Sequence, residues 1–304
     1  MGGELNVVTG AFGYTGKYIT RRLLEIGKRV RTLTGHPGRT NPFGRQVEAF
    51  PFNFERPDLL AESLRGATTL YNTYWVRFPR GRVNYDTAVR NTRTLIQACV
   101  QAGLKRIVHV SICNPSPDSP LPYYRGKGLL EQAVRESGLS CAIIRPTVIF
   151  GPEDVLINNI AWLVRRFPLF AVPGKGDYRL QPVFVEDMAS LAVGAGESSE
   201  SLVLDAAGPE IFTFSQLVGV IAGSVGSRAN LIQLNPRLAL FLSGLVGLLV
   251  RDVVLTGDEV RGLMSGLLVS RETPTGKTRL TDWLKSNSAT VGVRYASELG
   301  RHYR

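Results

Sequence analysis

An apolar run at residues 5–9 (LNVVT) passes directly into Gly10-Ala11-Phe12-Gly13-Tyr14-Thr15-Gly16 and then into a helical pattern at 14–26, and few folds accept that order. Three glycines spaced GxxGxxG between a buried strand and a helix have separate physical uses. Gly10 permits a tight turn, Gly13 lets the backbone come close to a ligand, and Gly16 lets the helix lie against the strand. The helix N-terminus beyond them offers unpaired N–H groups and the positive end of the helix dipole, a seat for a pyrophosphate. The pattern predicts a dinucleotide-binding loop formed by Gly10, Ala11, Phe12, Gly13, Tyr14, Thr15 and Gly16; a glycine-rich turn without a ligand is the alternative.

The rest of the first half keeps the same rhythm. Apolar runs near 5–9, 29–34, 47–52, 67–72, 105–111 and 140–145 alternate with helical patterns near 14–26, 58–65, 84–102 and 123–137. Alternation of this kind predicts an α/β fold with a Rossmann-type doubly wound parallel sheet, because right-handed crossovers place helices on both faces. Helix 84–102 reads clearly, with Ala88, Leu95, Ala98, Cys99 and Ala102 at helical spacing and Gly103 placed to end it. After Pro146 the rhythm changes, and Pro152, Pro168, Pro173 and Pro182 divide the chain into shorter pieces. We therefore expect a nucleotide-binding body over 1–145 and a smaller, mainly helical substrate lobe over 146–304, with a segment at about 180–205 returning to the body.

Composition narrows the partners. The 304 residues carry 36 Lys and Arg against 25 Asp and Glu, a formal charge of +11 that favours anionic ligands. No acid occurs between Lys28 and Val47, where Lys28, Arg29, Arg31, Arg39 and Arg45 cluster, although a solvated basic face would read the same way. Without basic runs interleaved with aromatics, or a helix-turn-helix, zinc-finger or RNP pattern, nucleic acid is not an expected partner. Cys99, Cys113 and Cys141 are scattered and far from CxxC spacing, so reduced core thiols and no metal site are expected. The chain enters a strand without a charged leader and lacks an apolar run of roughly 18 residues, so a cytoplasmic location is expected. One stretch is exceptional: 238–250 (LALFLSGLVGLLV) is uncharged and bracketed by Arg237 and Arg251. A buried core or dimer helix, a wall of an apolar substrate pocket and peripheral membrane contact all remain open for it.

The candidate chemistry follows the strand 105–111. Its last residue, Ser111, falls at the carboxyl edge of the sheet, where ligands of such folds bind. Twelve residues on, Tyr123-Tyr124-Arg125-Gly126-Lys127 opens an amphipathic helix. Tyr123 and Lys127 are four apart and share a helix face, so the ammonium can favour the phenolate and tune Tyr123 to give or take a proton. Ser111 could hydrogen-bond the same substrate oxygen. Tyr124 is the alternative phenol, at poorer spacing.

These residues resemble the short-chain dehydrogenase/reductase superfamily, in particular its extended and atypical members: the NAD-dependent epimerase/dehydratases and the NmrA-like and complex-I-subunit-like branch. The likeness runs over about 4–215. It rests on the glycine loop, Ser111, Tyr123 with Lys127, Arg145-Pro146-Thr147 followed by Phe150-Gly151-Pro152, the segment 182–189 (PVFVEDMA), and Gly208-Pro209-Glu210 before Thr213. The resemblance implies Tyr123 as general acid/base, Lys127 at the nicotinamide ribose, Pro146 and Thr147 beside the nicotinamide, and Asn53, Phe54 and Asn72 in the cofactor crevice. Departures from the pattern are Ala88 where many members carry Asn, Phe184 in place of a His, and Asn53 where an Asp usually meets the adenine. The stretch 31–39 (RTLTGHPGR) has no acid for ribose hydroxyls, whereas Thr34, His36 and Arg39 would suit a 2′-phosphate, so NADP is favoured over NAD.

The function expected is that of an NAD(P)-dependent oxidoreductase or epimerase-like enzyme, transferring hydride to or from a carbonyl or alcohol of a small molecule, in a monomer or homodimer. The alternative is a non-catalytic NADP(H)-binding redox sensor or assembly protein that presents the apolar helix. Arg145, Arg165, Arg166, Lys175, Tyr178 and Arg179 would suit an anionic or nucleotide-sugar substrate or form a solvated basic surface, while the uncharged stretch points to an apolar or quinone-like substrate.

Overall fold

The computed structural model describes residues 3–81 and 83–302. In chain order the first half comprises β1 (Leu5–Thr9), α1 (Tyr14–Glu25), β2 (Arg29–Thr34), β3 (Val47–Pro51), α2 (Pro57–Leu64), β4 (Thr69–Asn72), α3 (Tyr85–Gln101), β5 (Arg106–Val110), α4 (Pro122–Arg135) and β6 (Ser140–Pro146). The second half adds β7 (Val148–Phe150), α5 (Leu156–Arg166), β8 (Leu169–Pro173), β9 (Arg179–Leu180), β10 (Pro182–Phe184), α6 (Val185–Glu197), β11 (Leu202–Ala206), β12 (Phe212–Thr213), α7 (Phe214–Ser224) and β13 (Asn230–Leu234). It closes with α8 (Pro236–Val250), α9 (Gly257–Met264), α10 (Leu280–Asn287) and α11 (Glu298–His302).

Seven strands form one sheet in the order β11-β6-β5-β4-β1-β2-β3, with every pairing parallel. The α/β Rossmann-type architecture expected from the alternation is the one observed. The chain winds outward from β1 through β2 to β3, then returns to the other side of β1 with β4 and continues to β5, β6 and β11. This reversal between β1 and β4 is the switch point at whose carboxyl end open α/β sheets bind ligands.

Two compact units divide the chain. The first comprises 1–146 with 188–206, and the second 147–187 with 207–304. The first unit is cored by Val7, Leu33, Leu60, Leu64, Leu70, Leu95, Cys99, Ile107, Val134 and Ile143, all buried from the sheet and from α2, α3 and α4. Such near-continuous apolar strands are what a sheet covered on both faces requires. The end of α6 and the approach to β11 are tied back to β5 by a buried side chain: the Arg106 guanidinium donates to the Ala195 carbonyl at 3.0 and 2.8 Å and to the Glu200 carbonyl at 2.9 Å. Cys99, Cys113 and Cys141 are all free and buried.

In the second unit β8 pairs with β13 and β7 with β10, both parallel. The Asp187 carboxylate accepts the Lys277 and Thr278 amides at 2.8 Å each, and Glu210 accepts the Thr281 amide at 3.0 Å, so acids of the 182–189 and 208–210 motifs anchor the C-terminal third.

Candidate functional site

The turn after β1 is shaped by its glycines. Gly10 has φ +65°, a conformation L side chains seldom adopt, and its amide donates to the Leu33 carbonyl at 2.8 Å. A Cβ on Gly16 would lie 2.3 Å from the Gly10 carbonyl oxygen, so only glycine lets α1 come so close to the turn. The Ala11 amide donates to Thr32 Oγ1 at 3.0 Å, and that hydroxyl donates to the Val8 carbonyl at 2.8 Å, locking the loop to β2. Gly13 is the N-cap of α1 and provides no side-chain cap, while the helix carries no acid in its first turn. A helix end left without a carboxylate or hydroxyl cap suits an anion from outside.

Around this loop lie the other residues expected at the cofactor. Thr34 ends β2 and is buried, its Oγ1 accepting the His36 amide at 3.2 Å, and the Arg39 amide donates to the His36 carbonyl at 3.1 Å. Thr34, His36 and Arg39 therefore occupy one turn, which follows the strand beside β1. Asn53 takes a left-handed φ of +47°, a conformation asparagine tolerates better than most residues. Phe54 stacks on Phe52 with centroids 4.8 Å apart and lies 5.2 Å from Tyr74.

Asn72 departs from the expected role. It is 1% exposed; its Oδ1 accepts from Thr9 Oγ1 at 3.2 Å and from the Tyr74 amide at 3.1 Å, and its Nδ2 donates to His109 Nδ1 at 3.1 Å. Thr73 completes the link by donating its amide to Thr9 Oγ1 at 2.7 Å and its hydroxyl to the Thr9 carbonyl at 2.5 Å. Asn72 thus ties β4 to β1 at the switch point, its Oδ1 accepting twice and one Nδ2 proton engaged by His109. With Nδ1 accepting, the proton of neutral His109 sits on Nε2. Burial, with the Lys127 charge second, pushes the His109 pKa down to about 3.

The second cluster lies at the same carboxyl edge, on β5 and α4. Lys127 Nζ donates to the carbonyl of Val110, the last residue of β5, at 2.8 Å, and sits 4.7 Å from the Trp75 ring centroid. Burial lowers the Lys127 pKa to about 7, with the Glu131 carboxylate acting in the opposite direction. One turn earlier Tyr123 is half-buried in an aromatic group, its ring 5.5 Å from Trp75 and 5.8 Å from Tyr85. Tyr124 is buried, and desolvation raises its pKa, which removes it as the alternative phenol.

Ser111 is committed elsewhere. Its hydroxyl donates to Glu131 Oε1 at 2.6 Å, and Arg145 clamps the same carboxylate through Nε at 2.9 Å and Nη2 at 2.6 Å. This bidentate grip raises the Arg145 pKa. The expected role of Arg145 in holding an anionic substrate is thereby corrected, while Arg165 and Arg166 are exposed in the second unit and touch carbonyls of the C-terminal segment. Arg165 Nε donates to the Val291 carbonyl at 3.0 Å, and Arg166 donates to the Val293 carbonyl at 2.9 Å. Pro146 ends β6, its carbonyl accepting the Cys113 amide at 2.9 Å, and Thr147 is buried with its hydroxyl donating to the Gln181 carbonyl.

The sequence reading missed Glu131 and Trp75. Glu131 lies four residues beyond Lys127 and eight beyond Tyr123, so helical spacing alone places it on the same face. Trp75 follows the switch-point strand by three residues. Among the described residues no group of three or more His, Cys, Asp or Glu is placed to hold a metal ion.

Comparison with known proteins shows what the glycine loop and the residues after it are similar to. Residues 10–155 match the NAD(P)H-binding family. These residues form an NAD(P)H-binding domain. The domain sits in a chain 23% identical over 287 residues to the mitochondrial NADH dehydrogenase (ubiquinone) 1 alpha subcomplex subunit 9 of Arabidopsis thaliana, covering 88% of this chain and 71% of that one. It is 27% identical over 236 residues to a ceramide reductase of Caulobacter vibrioides, covering 75% and 72% of the two chains. Among solved structures, a nucleoside-diphosphate-sugar epimerase of Staphylococcus aureus superposes with a TM-score of 0.72 at 14% identity, over 92% of this chain and 99% of that one. MoeE5 in complex with UDP-glucose and NAD superposes at 0.67 and 22% identity, over 95% and 97%.

The residues present fit a dinucleotide. The uncapped start of α1 and the glycine cradle would hold the diphosphate, and the Thr34–Arg39 turn would meet the adenosine ribose. When bound, NAD(P) would supply a hydride donor or acceptor.

Proposed function

We propose that this protein binds NADP(H) in preference to NAD(H) and exchanges a hydride with a carbonyl or alcohol substrate, Tyr123 carrying the proton. One observation carries the reading: the 2.8 Å bond from Lys127 to the Val110 carbonyl fixes the Tyr123 and Lys127 turn at the carboxyl edge of β5, the edge that also holds the glycine cradle. In the reducing direction the substrate's carbonyl carbon receives the hydride with its electron pair while the Tyr123 phenol gives its proton to the carbonyl oxygen, leaving an alcohol and a tyrosinate. The tyrosinate regains a proton from solvent. Lys127, screened from water, supports that anion with its charge, and its pKa of about 7 lets it share a proton near neutrality. The NADP preference is supported by Thr34, His36 and Arg39 on one turn without an acid.

A second reading keeps the nucleotide and drops the chemistry, and the Ser111–Glu131 bond favours it, because a hydroxyl donating to a buried carboxylate cannot also donate to a substrate. The two separate in one experiment: hydride exchange with a panel of carbonyls and alcohols, read from NADPH absorbance. Turnover that disappears in Tyr123→Phe, with NADPH affinity retained, supports the enzyme; absence of exchange across the panel with tight NADPH binding supports the binding protein.

A further inference from the structure

The stretch 238–250 forms most of α8, and it is not a core helix: Ala239 and Gly247 are its only buried residues. Leu238, Phe241, Leu245, Leu248 and Leu249 are exposed by 46, 63, 50, 78 and 71%. At 100° per residue these five side chains fall within one arc of the helix, so they form a continuous apolar stripe rather than scattered surface residues. The opposite side packs on β8, and the Gly247 backbone approaches so closely that a Cβ there would stand 2.7 Å from the Asp252 carbonyl oxygen. The stripe therefore belongs to a folded surface.

Its charge surroundings identify what covers it. Between Glu210 and Asp252 the chain has no acidic residue, while Arg228, Arg237 and Arg251 lie within that span. Arg237 in the first turn and Arg251 at the C-cap are exposed at the two ends of α8. The Asp252 carboxylate is turned inward, accepting the Glu298 amide at 2.7 Å and the Leu299 amide at 3.2 Å. Asp258 pairs with Arg261, and Glu259 caps α9 at Thr256. The stripe is thus apolar in the middle and cationic at both ends, without an acid on its helix. A second copy docked about a two-fold axis would bring Arg237 of one chain toward Arg251 of the other with no acid between them. At fifteen residues α8 is about 22 Å long, short of a bilayer core, and no described helix is long and apolar enough to cross a membrane.

We propose that α8 docks this protein on an anionic phospholipid surface, with Leu238, Phe241, Leu245, Leu248 and Leu249 entering the acyl boundary and Arg237 and Arg251 meeting the headgroup phosphates. Leucine and phenylalanine gain free energy by leaving water, and arginines at the ends reach back to the headgroups. This docking is independent of the hydride-transfer reading.

The full chain is sedimented with vesicles of phosphatidylcholine alone and with vesicles in which about one third of the lipid is phosphatidylglycerol. Binding is expected to the anionic vesicles and to weaken with added salt. Leu248→Glu with Leu249→Glu removes binding; both side chains lie in solvent, so circular dichroism and NADPH affinity stay unchanged. Arg237→Gln with Arg251→Gln weakens binding to anionic vesicles by roughly tenfold to thirtyfold. The proposal is overturned if wild type fails to sediment with anionic vesicles or if the double glutamate variant binds as wild type does. It is equally overturned if analytical ultracentrifugation shows a dimer that the double glutamate variant converts to monomers, which would make α8 a contact between copies.

Discussion

The two clusters at the carboxyl edge of the sheet are built in opposite ways. The cradle after β1 is made from backbone: glycines remove side chains, and the helix end is left without a cap of its own. The cluster after β5 is made from side chains that already satisfy one another, Ser111 through Glu131 to Arg145, and Lys127 through Val110 and Trp75. The first arrangement waits for an outside anion. The second is closed on itself, with Tyr123 half-buried in the aromatic group beside it. A site can therefore be prepared for binding by omission, whereas its chemistry depends on how its side chains are positioned.

The largest expected effect tests the proposed proton donor of the second cluster. Tyr123→Phe lowers hydride exchange by about 10²–10⁴-fold with NADPH affinity unchanged, the range for loss of a positioned acid, measured by steady-state kinetics and fluorescence titration. Next, Glu131→Ala breaks the closed cluster by leaving Arg145 without its partner and Ser111 without an acceptor. Urea unfolding should show a loss of about 3–5 kcal/mol. In the cradle, Gly16→Ala forces a Cβ onto the Gly10 carbonyl and should cost about 1–3 kcal/mol together with at least tenfold of NADPH affinity. Gly219→Ala on α7, where a Cβ meets nothing within 4 Å, should leave NADPH affinity unchanged.

A smaller effect distinguishes the clusters by pH. Folding lowers the Lys127 pKa from 10.5 to about 7, so the unfolded chain binds more protons between those values. Stability then rises with pH across that window, and the cost of burying the ammonium is fully present below about pH 7. The groups facing it are Glu131 on the same helix, neutral His109 on β5 and the Trp75 ring. Lys127→Met should remove that slope, on the order of a few kcal/mol, in thermal melts compared across the window.

The backbone-built cluster was legible in the sequence because its information is local. Gly10, Gly13 and Gly16 declare their spacing within seven residues, and β1, α1, β2, β5 and α3 stand within a few residues of the apolar and helical patterns that predict them. The strand expected to end at Ser111 ends at Val110, one residue short. The side-chain cluster was not legible, since its bonds join distant positions: Ser111 with Glu131, Glu131 with Arg145, Asn72 with Thr9 and His109. Residue type suggested that Asn72 faces a cofactor and Arg145 an anion, but a buried amide or guanidinium is held by whichever partner the fold brings to it. The segment 238–250 failed as a core expectation for a related reason. Hydrophobicity shows that a helix needs an apolar neighbour without showing that this chain supplies one.

The central claim is that the turn after β1 holds a dinucleotide through its backbone, and one titration addresses it directly. Wild type, Gly16→Ala and Tyr123→Phe are titrated with NADPH and NADH while cofactor fluorescence is followed. The account predicts tighter NADPH than NADH binding in wild type, the same affinities in Tyr123→Phe, and at least tenfold weaker binding in Gly16→Ala. Wild type that binds neither cofactor, or Gly16→Ala that binds both as wild type does, would contradict it.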